Sequence, residues 1–293
     1  MHGRIVASFI ALFCAAQSAE LGAAAAQGAA AAAAVYDPLL SLSLVYYTAA
    51  SYCNDRAQIA SWTCKFCFAN NSLTNVTVIW NSTSQIQGFV GWDAAAARAV
   101  VAFRGSVGAL DWLEDFDFTL TPVPGCPGCN ASHGFLHSCF YSIYPQLTAA
   151  LAALPAGAPV LLTGHSLGAA VAELAAWHLA AAGAALEAVY TYGTPRVGNA
   201  AWARAWGAAV GRGGAAPAFR VIHFEDPVPH LPLELMGFVH PPTEVFYGSE
   251  AGGAWRQCSS SNGEDAACSN SVLPVDAKDH DTYLGVGIDS CND

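Results

Sequence analysis

The chain has 293 residues, of which 54% are hydrophobic and only 11% are charged, so disorder is excluded for most of its length. Its 11 Lys and Arg residues against 22 Asp and Glu residues give a net charge of -11, which would repel a phosphate backbone and an anionic bilayer alike. Nucleic acid is therefore not an expected partner.

The N-terminus has the pattern of a secretory signal peptide. Arg4 precedes an apolar run from Ile5 to Ala16, and small residues follow that run. The run is shorter than the ~20 residues that a membrane span requires, so an anchoring helix is the weaker alternative and no transmembrane segment is predicted. We expect the signal peptide and an Ala-rich leader to occupy residues 1–25, with cleavage somewhere between Ser18 and Ala34. The mature protein is then expected to be secreted.

Cysteines and glycosylation sequons agree with an oxidising, extracellular location. The ten cysteines become nine once Cys14 is removed, and four disulfides plus one free thiol is the simplest arrangement. Two Cys-x-x-Cys pairs, Cys64–Cys67 and Cys126–Cys129, could alternatively be zinc half-sites, but secretion favours disulfides. We therefore expect no metal and no cofactor. Four Asn-x-Ser/Thr sequons predict a glycoprotein: Asn70, Asn75, Asn81 and Asn130.

Residues 35–293 show no linker and no internal repeat, and they are predicted to form a single α/β domain. A first helix is predicted from Tyr36 to Tyr52. Short apolar segments then recur as strand candidates: Val76–Trp80, Ile86–Trp92, Ala99–Phe103, Val160–Thr163, Ala188–Tyr192, Arg220–Phe224 and Glu244–Tyr247. Helical stretches lie between several of them: Cys139–Leu154, Leu167–Ala182 and Ala200–Val210. This alternation predicts a mainly parallel sheet with helices on both faces and its chemistry at the carboxyl ends of the strands.

One motif points to a nucleophile. The segment Gly164–Gly168 reads Gly-His-Ser-Leu-Gly and matches the Gly-x-Ser-x-Gly elbow, in which a serine occupies a strained turn. The pattern alone is weak, but a buried-strand pattern precedes it and a helix pattern begins at Leu167. This order exposes the oxygen of Ser166 and points a helix N-terminus at a developing oxyanion. A tight turn without chemistry is the alternative.

A serine nucleophile needs a histidine base and a carboxylate that orients it, and in this type of fold they follow along the chain as Ser, acid, His. Among the later histidines, His178 lies within a helix pattern and His223 within a strand pattern. Glu225 and Asp226 follow that strand and are the best-placed acids. Spacing does not choose among the three base candidates on predicted loops: His230, His240 and His280.

Five motifs follow one another along most of the mature chain: Ala102–Ser106, Thr163–Gly168, Tyr192–Asn199, Glu225–Pro232 and Cys268–Gly285. In this order they resemble the secreted fungal-type triacylglycerol lipases, the class 3 lipases of the Rhizomucor and Thermomyces kind. The resemblance implies an α/β-hydrolase fold. It also implies a serine carboxylic-ester hydrolase that works through an acyl-enzyme.

The resemblance assigns roles to individual residues. Asp226 would be the acid of the triad and His280 its base. Ser106 and Leu167 would form the oxyanion hole through their backbone N–H groups, with the Ser106 hydroxyl as a further donor. Otherwise, Asp226 could merely cap a turn before Pro227, and His280 could be a surface residue.

The same resemblance implies a disulfide pattern. The four pairs would be Cys53–Cys291, Cys64–Cys67, Cys126–Cys129 and Cys258–Cys268. Cys139, within a helix pattern, would be the remaining free thiol, buried and inert.

An amphipathic segment, Val107–Phe118, follows the oxyanion serine. On a short helix its large apolar side chains would share one side: Leu110, Trp112, Leu113 and Phe116. We interpret the segment as a lid that covers Ser166 in water and turns its apolar face outward at an oil surface. The alternative is a surface helix that packs permanently on the core.

The leading hypothesis is therefore a monomeric extracellular triacylglycerol lipase that acts on acylglycerols at a lipid–water interface. A feruloyl-type or other carbohydrate esterase shares the fold and the triad, but a soluble substrate gives an apolar lid little use. A third hypothesis is an inactive secreted binding protein. It is disfavoured because every triad and oxyanion position carries a competent residue.

Overall fold

An eight-stranded sheet organises the computed structural model of the protein, which describes residues 34–69, 73–106, 116–211, 214, 216–249 and 253–292. These residues belong to the compact unit Ala33–Asp293. The strands are β1 (Thr74–Trp80), β2 (Gln87–Asp93), β3 (Arg98–Phe103), β4 (Leu120–Pro122), β5 (Asn130–Ser132), β6 (Val160–His165), β7 (Leu186–Tyr192), β8 (Gly198–Asn199), β9 (Ala218–His223), β10 (Phe238–Val239), β11 (Glu244–Tyr247), β12 (Trp255–Gln257), β13 (Thr282–Tyr283) and β14 (Val286–Gly287). The α-helices are α1 (Pro38–Ser51), α2 (Arg56–Ala60), α3 (Tyr141–Ala152), α4 (Leu167–Ala181), α5 (Ala200–Ala209) and α6 (Ala277–Asp281).

The central sheet has the strand order β1-β2-β3-β6-β7-β9-β11-β12. Strands β3, β6, β7, β9 and β11 run parallel to one another, and the remaining pairs are antiparallel. All residues of β6 and β9 are buried, as expected for parallel strands that are covered on both faces. The predicted α/β fold with a mainly parallel sheet is confirmed.

Helices cover both faces of this sheet. Alternate side chains of β3 enter different cores, because Val101 and Phe103 belong to one apolar cluster and Val100 and Ala102 to another. The first cluster contains the buried faces of α3, α4 and α5, and the second contains that of α1. Asp37 starts α1 by accepting hydrogen bonds from two backbone N–H groups of its first turn.

Every strand and helix predicted within the described residues has a counterpart, and the differences are local. The predicted helix Cys139–Leu154 is α3 preceded by a π-helical segment, Gly134–Phe140. A second sheet, in the order β10-β8-β5-β4, was not predicted, because its strands have only two or three residues and show no alternation.

All four disulfides implied by the resemblance are present, and Cys139 is a buried free cysteine. Within each of the two Cys-x-x-Cys pairs, the two sulfur atoms are thus bonded to each other. None of the described helices combines the length and the apolar character that a membrane crossing requires.

Several predictions lie outside the described residues. They include the signal peptide, the sequon at Asn70 and most of the lid segment, with Leu110, Trp112 and Leu113. Phe116, at the carboxyl end of that segment, is described. Its ring packs against those of Phe118 and Phe135, with centroid distances of 5.1 and 4.7 Å.

Candidate active site

The turn between β6 and α4 has the geometry of a nucleophile elbow. Ser166 is fully buried and has φ 56° and ψ −129°, a conformation that residues with a side chain rarely adopt. Glycines make the turn possible: a side-chain carbon on Gly164 would overlap with the carbonyl oxygen of Gly168, and one on Gly168 would overlap with the backbone at the end of β3. The strand, turn and helix can therefore approach each other only with these glycines in place.

Asp226 and His280 form a buried pair at the carboxyl edge of the sheet. His280 Nδ1 donates to Asp226 at 2.9 Å from either carboxylate oxygen, and neither side chain is exposed to solvent. Asp226 also accepts hydrogen bonds from the Val228 N–H at 2.9 Å and from the Tyr283 hydroxyl. Burial alone would raise the pKa of the Asp226 carboxyl, but the neighbouring His280 and these donors lower it below its usual value.

Gly193, just after β7, leaves room for this pair. Its φ is +56°, and a side-chain carbon there would lie 2.8 Å from Asp226 Oδ2 and 2.8 Å from His280 Nδ1. No role is predicted for Gly193 from the sequence. The signal was a glycine at the carboxyl end of a buried strand, where the backbone passes close to the site.

Ser106 and Leu167, the predicted oxyanion residues, both lie near Ser166, Ser106 through its neighbour Gly105 and Leu167 as the next residue of the chain. Leu167 is the first residue of α4, so its N–H has no partner within the helix. The chain before Ser106 passes directly over the elbow, because a side-chain carbon on Gly105 would lie 2.6 Å from Ser166 Cβ. Both residues line a cavity of about 410 Å³, whose other walls are Ser84, Gln85, Arg104, Phe116, Ser138 and Cys139.

The other base candidates lie elsewhere. His240 is buried, and its Nε2 donates to the Pro229 carbonyl oxygen at 2.7 Å. His230 is half-buried at the end of a 3₁₀ turn, and His223 lies on β9 with Nδ1 3.1 Å from the Asp279 carbonyl oxygen. His178, on α4, packs its ring against that of Phe140. Among the described histidines, His280 is the one that bonds Asp226.

Two buried atoms in the site are left without a partner. Within the described part of the chain, neither Ser166 Oγ nor His280 Nε2 has a hydrogen-bond partner. The two atoms are therefore not bonded to each other or to a third group among the described residues, and proton transfer from the hydroxyl to the ring nitrogen requires that they come within hydrogen-bond distance. Together with the N–H of Leu167 at the start of α4, the arrangement can support hydrolysis of an ester through a covalent intermediate.

Comparison with known proteins agrees with this chemistry. The family model described as "Lipase (class 3)" matches residues 100–236. A secreted mono- and diacylglycerol lipase from Penicillium cyclopium is 34% identical over 216 residues, which cover 70% of this chain and 68% of that protein. The solved triacylglyceride lipase of Rhizomucor miehei is 28% identical with a TM-score of 0.76, and the match covers 87% of this chain and 98% of that one. Another solved structure, with a TM-score of 0.74 and 28% identity over 88% of this chain and 98% of its own, is of a triacylglycerol lipase with a serine protease triad.

Fold, sequence likeness and site chemistry agree over nearly the whole described chain. The identity to the Penicillium lipase extends over more than two thirds of both proteins. The chain therefore belongs to the class 3 lipase family of ester hydrolases.

Proposed function

We propose that Ser166, Asp226 and His280 form the catalytic triad of a secreted acylglycerol lipase. The observation that carries this proposal is the buried bond between His280 Nδ1 and Asp226, together with the bond of 2.7 Å that joins the His280 carbonyl oxygen to His165, the residue before the elbow serine. His280 Nε2 takes the proton of Ser166 Oγ as that oxygen attacks the ester carbonyl. Asp226 stabilises the imidazolium that forms.

The remaining steps use the same groups. The N–H groups of Ser106 and Leu167 bind the oxyanion of the tetrahedral intermediate, and His280 gives its proton to the departing alcohol. A water molecule then attacks the acyl-enzyme while His280 accepts its proton. The fatty acid leaves, and Ser166 recovers its hydrogen.

The substrate class we propose is acylglycerols at a lipid–water interface, attacked by a monomer. The named relatives act on mono- and diacylglycerols or on triacylglycerides, and both groups share the glycerol ester bond. The net charge of -11 favours an uncharged or zwitterionic lipid surface over an anionic one. We also propose that residues 1–25 are a signal peptide, consistent with relatives that are named as secreted.

Residues 107–118 are proposed to be the lid of this site. The segment follows Ser106 directly, and Phe116 at its other end lines the same cavity as Ser106 and Leu167. Burying large apolar side chains in lipid stabilises an open form by ~1.5–3 kcal/mol each, which is enough to shift a closed-to-open equilibrium.

The proposal is tested by Ser166→Ala. We expect a folded protein whose hydrolysis of tributyrin and of p-nitrophenyl butyrate is at background, because alanine keeps the packing of the elbow but lacks the nucleophile. The matched control is Ser61→Ala, since Ser61 lies on the exposed end of α2. A lipid phosphonate should label the wild type and the control at Ser166 only. A Ser166→Ala variant with a tenth or more of the wild-type rate would exclude this mechanism.

The lid has its own experiment. The rate on tributyrin should rise steeply once the substrate exceeds its solubility, and replacement of Leu110, Trp112 and Leu113 by serine should flatten that rise. Hydrolysis of soluble p-nitrophenyl butyrate should survive the same replacement. A hyperbolic rate curve through the solubility limit in the wild type would refute the lid, and fast hydrolysis of methyl ferulate in addition would favour a carbohydrate esterase.

A preference for mono- and diacylglycerols is the second candidate function. It is supported by the 34% identity to the Penicillium mono- and diacylglycerol lipase, compared with 31% to the Rhizomucor miehei lipase. Rates on emulsions of monoolein, diolein and triolein at equal interfacial area test it. Faster hydrolysis of monoolein and diolein would support the preference for mono- and diacylglycerols, and faster hydrolysis of triolein would support a preference for triacylglycerols.

A further inference from the structure

A buried chain of hydrogen bonds connects the three parts of the active site through one tyrosine. The Tyr52 hydroxyl lies 2.6 Å from His165 Nδ1 and accepts a hydrogen bond from the Gly105 N–H at 2.9 Å. On its other side, His165 Nε2 lies 2.7 Å from the carbonyl oxygen of His280. Gly105 precedes the oxyanion residue Ser106, and His165 precedes the nucleophile. The chain therefore reaches the oxyanion loop, the elbow and the base.

The direction of each bond follows from the chemistry of its ends. A carbonyl oxygen only accepts, so Nε2 of His165 carries the ring hydrogen and Nδ1 is an acceptor. The Tyr52 hydroxyl therefore donates to His165 Nδ1 and uses a lone pair for the Gly105 N–H. Every donor in the chain has an acceptor, and the arrangement is complete only while His165 is neutral.

Neutrality of His165 matters because its ring lies against that of His280. The ring centroids are 4.4 Å apart. In the proposed mechanism His280 becomes positively charged, and a second charged imidazole at this distance would oppose that step. Burial first, and then the proximity of His280, place the pKa of His165 well below its usual value. The imidazole can therefore orient its neighbour without competing for the proton.

The backbone on both sides of Tyr52 is held as well. Tyr52 ends α1, and the Gln87 side chain on β2 donates to the carbonyl oxygens of both Ser51 and Cys53, at 2.9 and 2.8 Å. Cys53 is in turn joined to Cys291 by a disulfide. The phenol is thus fixed from its own helix, from the sheet and from the C-terminal end of the described chain. It has the support expected of a part that must hold a distance.

We propose that Tyr52 and His165 are positioning residues that set the oxyanion loop and the base in register with the nucleophile. The inference rests on the proposed triad. It assigns Tyr52 no contact with substrate and no proton transfer. Without the hydroxyl, the Gly105 N–H and His165 Nδ1 both lose a buried partner, and each can shift away from the geometry that the transition state needs.

The test is Tyr52→Phe, assayed on soluble p-nitrophenyl butyrate and normalised to active sites titrated with a phosphonate. Loss of a direct oxyanion donor lowers kcat about 10²–10³-fold, so misplacement through a neighbour is expected to lower it about 10–100-fold. KM should stay within about twofold, since ground-state binding is untouched. The affinity for a boronic acid that mimics the tetrahedral intermediate should fall by a factor similar to that of kcat.

The matched control is Tyr190→Phe. Tyr190 is a buried tyrosine on β7 whose hydroxyl accepts a hydrogen bond from the Asp37 N–H. It does not belong to the hydrogen-bond chain through Tyr52 and His165. Its loss should lower Tm to a similar extent while kcat stays at the wild-type value. The fold-loss of kcat in the double variant Tyr52→Phe/His165→Gln should be smaller than the product of the two single fold-losses, because the two residues belong to one chain of hydrogen bonds.

Three results would overturn the proposal: a Tyr52→Phe variant with kcat within twofold of the wild type, a loss confined to KM, or an equal loss in Tyr190→Phe. If Tyr52→Phe cannot be purified, His165→Asn replaces it, because the shorter amide cannot reach the His280 carbonyl oxygen, and the same split between kcat and KM is expected. A failure here is distinct from a failure of the triad, which is read from Ser166→Ala alone.

Discussion

Two buried histidines, His280 and His240, lie in surroundings of similar composition but with opposite bonding. His280 gives Nδ1 to Asp226, and within the described residues its Nε2 has no partner. His240 gives Nε2 to the Pro229 carbonyl oxygen, and the carboxylate beside it, Glu264, accepts from the backbone N–H of His240 rather than from the ring. In the first cluster, which consists of His280 and Asp226, the histidine ring bonds the carboxylate. In the second cluster, which consists of His240, Glu264 and Arg196, the arginine bonds the carboxylate.

That difference favours His280 over His240 as the proposed base. Arg196 binds Glu264 through two hydrogen bonds of 2.8 and 2.7 Å, so the charge of this carboxylate is already neutralised. Burial, and then the charge of Arg220, place the pKa of the His240 ring well below its usual value. Asp226 has no arginine partner among the described residues, and its charge is available to stabilise an imidazolium at His280.

The largest effect is expected where the carboxylate of the first cluster is removed. Asp226→Asn and His280→Ala should each lower kcat on p-nitrophenyl butyrate by about 10⁴-fold, because the triad acts as a unit. The double variant should lose little more than either single one. His240→Ala should keep kcat within a few-fold per folded molecule. If His240→Ala lowered kcat as much as His280→Ala, the assignment of the base to His280 would be wrong.

The second cluster is expected to carry stability instead. Glu264→Gln removes a carboxylate that pairs with a buried guanidinium, and breaking such a pair lowers the free energy of unfolding by ~3–5 kcal/mol. The kcat of the folded fraction should not change. Urea unfolding followed by tryptophan fluorescence measures the first quantity, and titrated active sites give the second. A fall in kcat with unchanged stability would place Glu264 in the catalytic machinery.

The pH dependence of stability sharpens the same contrast. Burial alone would raise the pKa of Glu264, but Arg196 and the His240 N–H lower it far below its usual value in the folded protein. A carboxyl with a depressed folded pKa contributes stability above its unfolded pKa of about 4.3, and this contribution is lost as the pH falls below that value. The advantage of the wild type over Glu264→Gln should therefore shrink from pH 5 toward about pH 2. A constant difference in Tm over this range would contradict the assignment.

The smallest effect concerns a second donor to Asp226. Tyr283→Phe removes one hydrogen bond to a carboxylate that keeps the bonds from His280 and the Val228 N–H. Hydrogen bonds to charged groups contribute ~1.5–3 kcal/mol, and with only part of this expressed in the transition state kcat should fall about tenfold. The pH–rate profile of the variant against the wild type checks it. A loss equal to that of Asp226→Asn would make Tyr283 as important as the acid itself.

The sequence predicted the elements that are long and buried. Strands β6 and β9 are rich in apolar residues and fully buried because both faces of a parallel sheet are covered, and α4 follows the elbow because the motif requires a helix there. Ser166 could therefore be found from local pattern alone. The short strands β4 and β8 could not, since two or three residues have no measurable period.

The partners of Ser166 were beyond local pattern for a physical reason. Asp226 and His280 are 54 residues apart, and their contact depends on how α6 packs against the end of β9. Spacing could not rank His280 above His240, and the family resemblance supplied that choice. Tyr52 lies in none of the five motifs, and Gly193 lies in the motif Tyr192–Asn199 without a role of its own, because these two residues contribute one hydroxyl position and one missing side chain.

The Cys53–Cys291 disulfide closes most of the described chain into a covalent ring, and its two cysteines are 238 positions apart in the sequence. A single cut by a protease in any surface loop inside that ring would open the backbone without releasing a fragment. The two pieces stay joined, and the sheet can hold them in place while the cut end moves. For a secreted enzyme that meets proteases outside the cell, a single cleavage therefore need not abolish activity.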